Sequence, residues 1–347
     1  MKVAQAREAA RQWVVEEAGS MPGFCGAYTA GSTNWLADDA DVTATSDLDI
    51  MVVVSDPNPA SRRGKFQRRD VLLEASYLRR DQLESSELVL RDYHLAPSLQ
   101  SSTILLDPSG HLASLRAIVC RDYAKRQWVL ERCANARDKL LGHLRSINEG
   151  VPLHDIVMAC LFGAGVTTHL LLTAGLRNPT VRTRYVTVRE LLADYDCLEL
   201  YETLLELSGT ARMNCRRVRQ HLATLADVFD AATKVIRTSF PFASDLSDIA
   251  RPVAIDGSLE LVERGYYREA IFWIAITHSR CQMVLSAATS AELPQSLSDS
   301  YRELVADLGI ASFADARRRG EEIERLLPRI WDVAERVMAA NRRIENT

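Results

Sequence analysis

The sequence has little lysine, no paired cysteines and none of the short motifs of several enzyme classes. Lysine occurs only at positions 2, 65, 125, 139 and 234, so arginine supplies most of the positive charge. The seven cysteines form no C-x-x-C pair, and no two histidines have H-x-x-x-H spacing. These absences argue against disulfides and a zinc site, and they predict free thiols. No Walker A or G-x-S-x-G sequence is present, which excludes P-loop and serine-hydrolase interpretations.

The charge balance and the apolar pattern also limit the classes of partner. Forty-two basic and 46 acidic residues give a formal net charge of −4, so we expect no general attraction to nucleic acid or to an anionic membrane. There is no uninterrupted apolar run of about 18 residues, the length that a membrane span needs. The first residues lack the apolar core of a signal peptide. We therefore predict a cytoplasmic protein without a membrane partner, as a monomer or homodimer.

Hydrophobic periodicity divides the chain into two regions. The first region predicts a helix over 3–18, strands over 24–30, 47–54, 71–78 and 102–106, and a helix over 81–92. Asp56 to Pro59 is predicted to end the second strand. After Gly110, helical periodicity covers 111–147, 153–174, 186–207, 215–237, 258–287, 298–307 and 313–342. The pattern predicts an α+β protein with a domain at 1–112 and an all-helical domain at 113–347.

The most informative motif joins a glycine turn to a pair of carboxylates. Gly31-Ser32 follows the first predicted strand, and Asp47-Leu48-Asp49 begins the next one. Strand residues two positions apart point to the same face, so Asp47 and Asp49 project together. Two adjacent like charges need a cation, and Mg²⁺ prefers carboxylates together with phosphate oxygens. The Gly-Ser turn offers backbone N–H groups and a hydroxyl for phosphate.

Glu74, within the apolar strand 71–78, is the candidate third carboxylate. Beside the aspartates it could complete a two-metal site or act as a general base for an acceptor hydroxyl. The alternatives are a solvent-facing glutamate or one paired with Arg68 or Arg69. Asp70 competes for the same role, but its position at the start of the strand predicts a turn.

Two arginine-rich segments could also meet phosphate. The basic cluster before the third strand comprises Arg62, Arg63, Lys65, Arg68 and Arg69. We favour a solvated loop for this cluster, because charge runs are usually surface. Arg182 and Arg184 follow a proline loop between two helices, where they could contact phosphate or an acidic group. The alternative for these two is a polar interhelical loop with salt bridges.

The Gly-Ser turn, the D-x-D strand and the later carboxylate together resemble the DNA polymerase β-like nucleotidyltransferase superfamily. Because a helical region follows, the chain looks most like the aminoglycoside and lincosamide nucleotidyltransferases. The resemblance implies a short mixed sheet flanked by helices and the transfer of an NMP group from an NTP to a hydroxyl. It implies that Gly31 and Ser32 hold the triphosphate, and that Asp47, Asp49 and Glu74 bind one or two Mg²⁺ ions.

We therefore expect a Mg²⁺-dependent nucleotidyltransferase that uses an NTP, with ATP as the favoured donor. The expected acceptor is a small polar molecule such as an aminocyclitol, a sugar or a nucleoside-like metabolite, either in antibiotic modification or in a biosynthetic tailoring step. Arg182 and Arg184 are the further candidates for nucleotide contact. Two alternatives remain open: a toxin-like transferase acting on tRNA or protein, and a non-catalytic nucleotide-binding regulator.

Overall fold

A computed structural model describes residues 1–55, 63–237, 240, 242–288 and 295–346. The chain forms two compact units: one contains Met1–Arg132 and the C-terminal residues from Arg343, and the other is Cys133–Arg342. Residues 113–132, which the sequence analysis placed in the helical domain, are therefore grouped with the first unit. The predicted strand break at 56–59 and Arg62 lie outside the described residues.

The first unit contains a five-stranded mixed sheet in the order β3-β4-β2-β1-β5. The strands are β1 Phe24–Ala30, β2 Leu48–Val54, β3 Gly64–Arg68, β4 Val71–Arg79 and β5 Ile104–Leu106. β2 and β4 run parallel, and the other neighbouring pairs are antiparallel. Helices follow through the rest of the chain, so the predicted α+β fold class is confirmed.

Alternating burial gives the sheet two apolar faces. Leu48 and Ile50 of β2 pack with Trp13 of the first helix in one buried cluster. Val53 lies in a second cluster, with Leu90 and Leu112 from the helices that follow β4. Because successive strand residues point to opposite faces, Asp49 lies on the face opposite Leu48 and Ile50.

The helices of the described chain agree with most of the predicted segments. They are α1 Val3–Glu16, α2 Ser86–Leu90, α3 Leu95–Gln100, α4 His111–Asp122, α5 Arg126–Arg145, α6 Leu153–Ala174, α7 Arg184–Asp194, α8 Tyr201–Ser208, α9 Cys215–Val235, α10 Gly257–Glu263, α11 Tyr267–Ala287, α12 Gln295–Asp307 and α13 Phe313–Ala340. Strand β3 and helix α3 have no counterpart in the sequence prediction. The sequence does not predict β3, because its residues belong to the basic cluster, for which the charge pattern favours a loop.

A tight turn joins β3 to β4. Arg69 and Asp70 both have positive φ values, 46° and 63°. Positive φ at both central residues characterises the two-residue hairpin turn whose twist matches that of the strands. The predicted turn role of Asp70 is therefore confirmed, and the turn fixes which residues of β3 and β4 face each other.

Helix α6 is the central helix of the second unit. It is long and apolar enough to cross a membrane, but 83% of its most apolar window is buried inside the protein. Burial by the surrounding helices is typical of a core helix, which passes the same test of length and composition as a membrane span.

The second unit also buries His278 of α11 completely. Neither ring nitrogen has a hydrogen-bond partner among the described residues, and the ring lies 5.2 Å from that of Tyr301. Burial, with a smaller contribution from the charge of His221, lowers the pKa of His278 to about 3. This position favours a structural role for His278.

The depressed pKa of His278 predicts that acid destabilises the protein. At pH values below the ordinary pKa of histidine, the unfolded chain binds a proton at His278. The folded protein does not bind this proton until about pH 3. Stability therefore falls as the pH drops below about 6.5, by about 2 kcal/mol between pH 7 and pH 5 from this residue alone. We expect His278→Leu to lose less stability than the wild type over that interval, as measured by urea unfolding.

The control for this comparison is Val151→Ala, which changes an exposed apolar side chain of the same unit. It should keep the pH dependence of the wild type. The same pH dependence in His278→Leu as in the wild type would contradict a buried, neutral histidine.

Candidate active site

Three neighbouring strands carry charged side chains at the same level of the sheet. Asp49 on β2 lies opposite Glu74 on the parallel strand β4, and Glu74 lies opposite Lys65 on the antiparallel strand β3. On its other side, Asp49 lies opposite Ala30, the last residue of β1. Residues in register across a sheet point to the same face. The strand register therefore places Asp49, Glu74 and Lys65 in one row.

Asp47 joins this row from the position just before β2. Carboxylate oxygens of Asp47, Asp49 and Glu74 all lie within 4.8 Å of one another. The side chains of Asp47 and Glu74 are 18% and 24% exposed, so a ligand can reach them from solvent. The structure thus brings together the three carboxylates that the sequence analysis selected.

Lys65 is the nearest charge partner of this cluster. Its Nζ lies 2.7 Å from Oδ2 of Asp47, it also forms an ion pair with Glu74, and its side chain is only 8% exposed. Burial raises the pKa of Asp47, but the charge and hydrogen bond of Lys65 outweigh it, so that the pKa stays below its usual value. Asp47 is therefore ionised at neutral pH.

The contacts of Lys65 correct the expectation that the basic cluster is a solvated loop. This lysine lies in strand β3 and contacts the carboxylates. Glu74 pairs with Lys65, whereas the proposed alternative partner Arg68 pairs with Glu16 and Glu17 of the α1 region. The signal in the sequence was the alternation of Lys65 and Gln67 with the buried Phe66, which is typical of a strand with two different faces.

Position 31 must be glycine, because the Asp49 carboxylate lies where the Cβ atom of any other residue would be. A Cβ atom at position 31 would overlap the Asp49 carboxylate. The backbone at Gly31 has φ 72° and ψ −163°, a conformation that is essentially restricted to glycine. Ser32, which follows it, is exposed and begins a short 3-10 turn, Ser32–Trp35. The predicted glycine turn therefore lies directly beside the carboxylates.

The donor set fits a hard divalent cation. Mg²⁺ is bound in proteins by one or two carboxylates, with substrate phosphates and water completing its shell. Asp47, Asp49 and Glu74 supply only oxygen ligands, and the absence of a side chain at Gly31 gives the Asp49 carboxylate its position. Among the described residues this is the only group of three or more such ligands whose atoms lie close enough to share one metal ion.

Arg182 and Arg184 lie in the second unit and have contacts of their own there. Arg182 donates a hydrogen bond of 3.3 Å to the carbonyl of Val253. Arg184 is buried, its Nε donates to the carbonyl of Val181 at 2.8 Å, and its guanidinium lies 4.1 Å from the centre of the Phe272 ring. These contacts favour a structural role for Arg184. Nucleotide binding by the two arginines remains a prediction.

Comparison with known proteins adds little to this geometry. No family model matches the chain, and no curated protein matches it. Among solved structures, the chain is similar to a nucleotidyltransferase-like protein from Exiguobacterium sibiricum 255-15, with 14% identity and a TM-score of 0.31 over 88% of this chain and 89% of that chain. A similarity this low does not decide fold or activity. The interpretation of the site therefore depends on the residues themselves.

The close approach at Gly31 predicts that Gly31→Ala weakens metal binding. The added methyl group must displace the Asp49 carboxylate, and the backbone conformation adds strain of about 1–3 kcal/mol. We expect the variant to bind Mn²⁺, used as a spectroscopic substitute for Mg²⁺, at least about tenfold more weakly, since changes to the groups that orient metal ligands commonly cost about 10–100-fold in metal affinity.

A matched control for this substitution is Gly110→Ala. Gly110 also has a positive φ, 73°, but a Cβ there would meet no atom within 4 Å. This variant should lose some stability and keep its affinity for Mn²⁺. Equal affinities of the two variants would show that Gly31 does not position Asp49.

Removal of the Lys65 charge should make the stability of the protein depend on metal. Without the ammonium, the three carboxylates repel one another, and breaking a largely buried ion pair commonly costs about 3–5 kcal/mol. We expect Lys65→Met to melt well below the wild type in EDTA and to recover more stability than the wild type when Mg²⁺ is added. Thermal unfolding in the two buffers measures both effects.

Lys2→Met provides the matched control. Lys2 pairs with Asp41 at 2.9 Å on the surface of the same unit, and the two side chains are 49% and 69% exposed. Its replacement should change the melting temperature little in either buffer, since exposed ion pairs contribute about 0–1 kcal/mol. A Lys65→Met protein as stable as the wild type in EDTA would contradict the assigned role of Lys65.

Proposed function

We propose that the protein is a Mg²⁺-dependent nucleotidyltransferase that moves an NMP group from an NTP, with ATP as the favoured donor, to a hydroxyl of a small polar acceptor. Pyrophosphate is the second product. The observation that carries this proposal is the convergence of Asp47, Asp49 and Glu74 beside the glycine turn. A carboxylate cluster next to a phosphate-binding turn is suited to a metal–triphosphate complex.

The residues of the site have separate roles in this proposal. Asp47 and Asp49 hold Mg²⁺, and Gly31 and Ser32 contact the triphosphate. The chemistry supplied by the bound metal is stabilisation of the negative charge that develops during phosphoryl transfer. Glu74 either takes the proton of the acceptor hydroxyl at a carboxylate oxygen or completes the ligand set. Both roles need its ionised form.

The charges of the cluster favour a single metal ion in the protein before the nucleotide binds. Three carboxylates and the Lys65 ammonium leave two negative charges, which a single Mg²⁺ neutralises. A second divalent ion would leave the group positive until the triphosphate arrives. We therefore propose that any second ion enters together with the nucleotide.

The acceptor is proposed to be an aminocyclitol, a sugar or a nucleoside-like metabolite. Transfer to tRNA, the alternative acceptor, is disfavoured by the net charge of −4, because nucleic-acid-binding proteins usually carry a basic surface. Activity on tRNA would fall steeply as salt is raised, because contacts to the phosphate backbone are salt-sensitive. A non-catalytic regulator would bind an NTP and turn over no acceptor.

The first test of the proposal is thermal unfolding with each NTP, with and without Mg²⁺. A ligand that binds only the folded protein raises the melting temperature by mass action. We expect one NTP, ATP first, to stabilise the wild type only when Mg²⁺ is present. The Asp47→Asn/Asp49→Asn variant should lose this stabilisation, because the metal loses two anionic ligands.

Asp39→Asn is the control, since Asp39 is exposed on the loop that precedes the carboxylates. It should respond to the nucleotide like the wild type. If millimolar NTP with Mg²⁺ stabilises neither protein, the assignment of the nucleotide site is wrong.

A further inference from the structure

The second unit contains a cleft of about 600 Å³, to which the proposed function assigns no role. Its walls come from α7, from the segment that leads into α8, and from the turn between α10 and α11. Its lining combines aromatic and charged side chains, among them Arg189, Tyr201, Arg264, Tyr266 and Glu269. A volume of several hundred Å³ lined by aromatic and charged side chains is typical of small-molecule sites.

Glu269 is the unusual residue of this cleft. Its exposure is only 6%, and it accepts a hydrogen bond from the Tyr201 hydroxyl. The neighbouring Arg268 directs both terminal nitrogens to Glu202, at 2.8 and 2.9 Å. No basic side chain of the described chain forms an ion pair with Glu269 within 4 Å. A buried carboxylate is costly without a cation or several donors, so Glu269 can accept a positive group from a ligand.

The cleft also has two arginines that are suited to a negative group of a ligand. Arg189 and Arg264 are exposed and form no ion pair within 4 Å among the residues that the structure describes. Their guanidinium carbons lie 5.9 Å from the centre of the Tyr201 ring and 5.3 Å from that of Tyr266, respectively. A guanidinium group presents a planar set of donors that suits a carboxylate or phosphate. These side chains can therefore accept an anionic group.

The remaining charges of the cleft largely cancel. Glu202 is paired with Arg268, and Glu199 lies 3.6 Å from Arg336. Glu269 and the pair Arg189 and Arg264 are left as charges of opposite sign on one cleft.

We propose that this cleft binds a small zwitterion, with its ammonium group at Glu269 and its carboxylate or phosphate at Arg189 and Arg264. The exposed Leu198 and the partly exposed Tyr266 and Tyr267 offer an apolar surface for the body of the ligand. The proposal does not rest on nucleotidyl transfer.

Calorimetric titration of the full chain tests this site. The probes are free L-amino acids and O-phosphoethanolamine, which carry the ammonium with a carboxylate and with a phosphate, respectively. Tyramine and 3-phenylpropionate are the matched probes with only one of the two charges. We expect at least one zwitterion to bind about tenfold or more tightly than either single-charge probe, because each single-charge probe lacks the hydrogen bonds to one charged group.

Variants then assign the two ends of the ligand. Glu269→Gln keeps an acceptor for the Tyr201 hydroxyl and removes the charge, and it should weaken zwitterion binding about tenfold or more. Arg189→Ala/Arg264→Ala should do the same, and it changes only exposed side chains, so it remains informative if Glu269→Gln does not fold. Arg302→Ala, on the exposed face of α12, should leave binding unchanged.

Three outcomes would overturn the proposal. They are no binding of any zwitterion at millimolar concentration, equal binding of the single-charge probes, and unchanged binding by Arg189→Ala/Arg264→Ala. The Asp47→Asn/Asp49→Asn variant should still bind the zwitterion. This result would separate the cleft from the nucleotide site, so that either proposal can fail alone.

Discussion

The repulsion among three carboxylates on one face of a sheet is the constraint on which the architecture of the first unit depends. Such a cluster is unfavourable unless positive charge lies within a few ångströms. The protein supplies part of that charge from Lys65, whose ammonium pairs with Asp47 and Glu74. Since one ammonium cannot neutralise three carboxylates, the site keeps a net negative charge that favours a divalent cation. The same arrangement therefore reduces the repulsion among the carboxylates and is suited to a divalent cation.

Strand register converts this electrostatic arrangement into a fixed geometry. The parallel pairing of β2 with β4 sets Asp49 beside Glu74, and the tight turn at Arg69 and Asp70 sets Lys65 beside Glu74. A slip of one residue in either pairing would move a charged side chain to the face that packs on α1. The apolar face, with Leu48, Ile50 and Phe66, resists such a slip. The apolar core on one face of the sheet thus fixes the strand register that places the charged residues on the other face.

The sequence alone predicted the carboxylates but not their counter-charge. Asp47, Asp49 and Glu74 could be selected because alternation within a strand and the apolar flanks are local signals. The role of Lys65 depends on the pairing of β3 with β4, and this pairing follows from the turn at residues 69 and 70. The turn contains neither glycine nor asparagine, which are the usual sequence signals for it. For Arg184, the sequence indicated an accessible loop, whereas the helical unit buries the side chain. Tertiary burial of a charged residue leaves no local signal.

Buried ionisable groups have different partners in the two units, and the difference indicates candidate positions for ligands. The cluster at Asp47 has an internal ammonium from Lys65, and we propose that a divalent metal ion supplies the remaining positive charge. Glu269 has only the hydroxyl of Tyr201, and the nearby Arg268 is already paired with Glu202. By contrast, His278 is buried as a neutral ring and needs no counter-ion at neutral pH. A neutral buried ring is compatible with a closed core, whereas a buried carboxylate without a nearby cation marks a position that a ligand can complete.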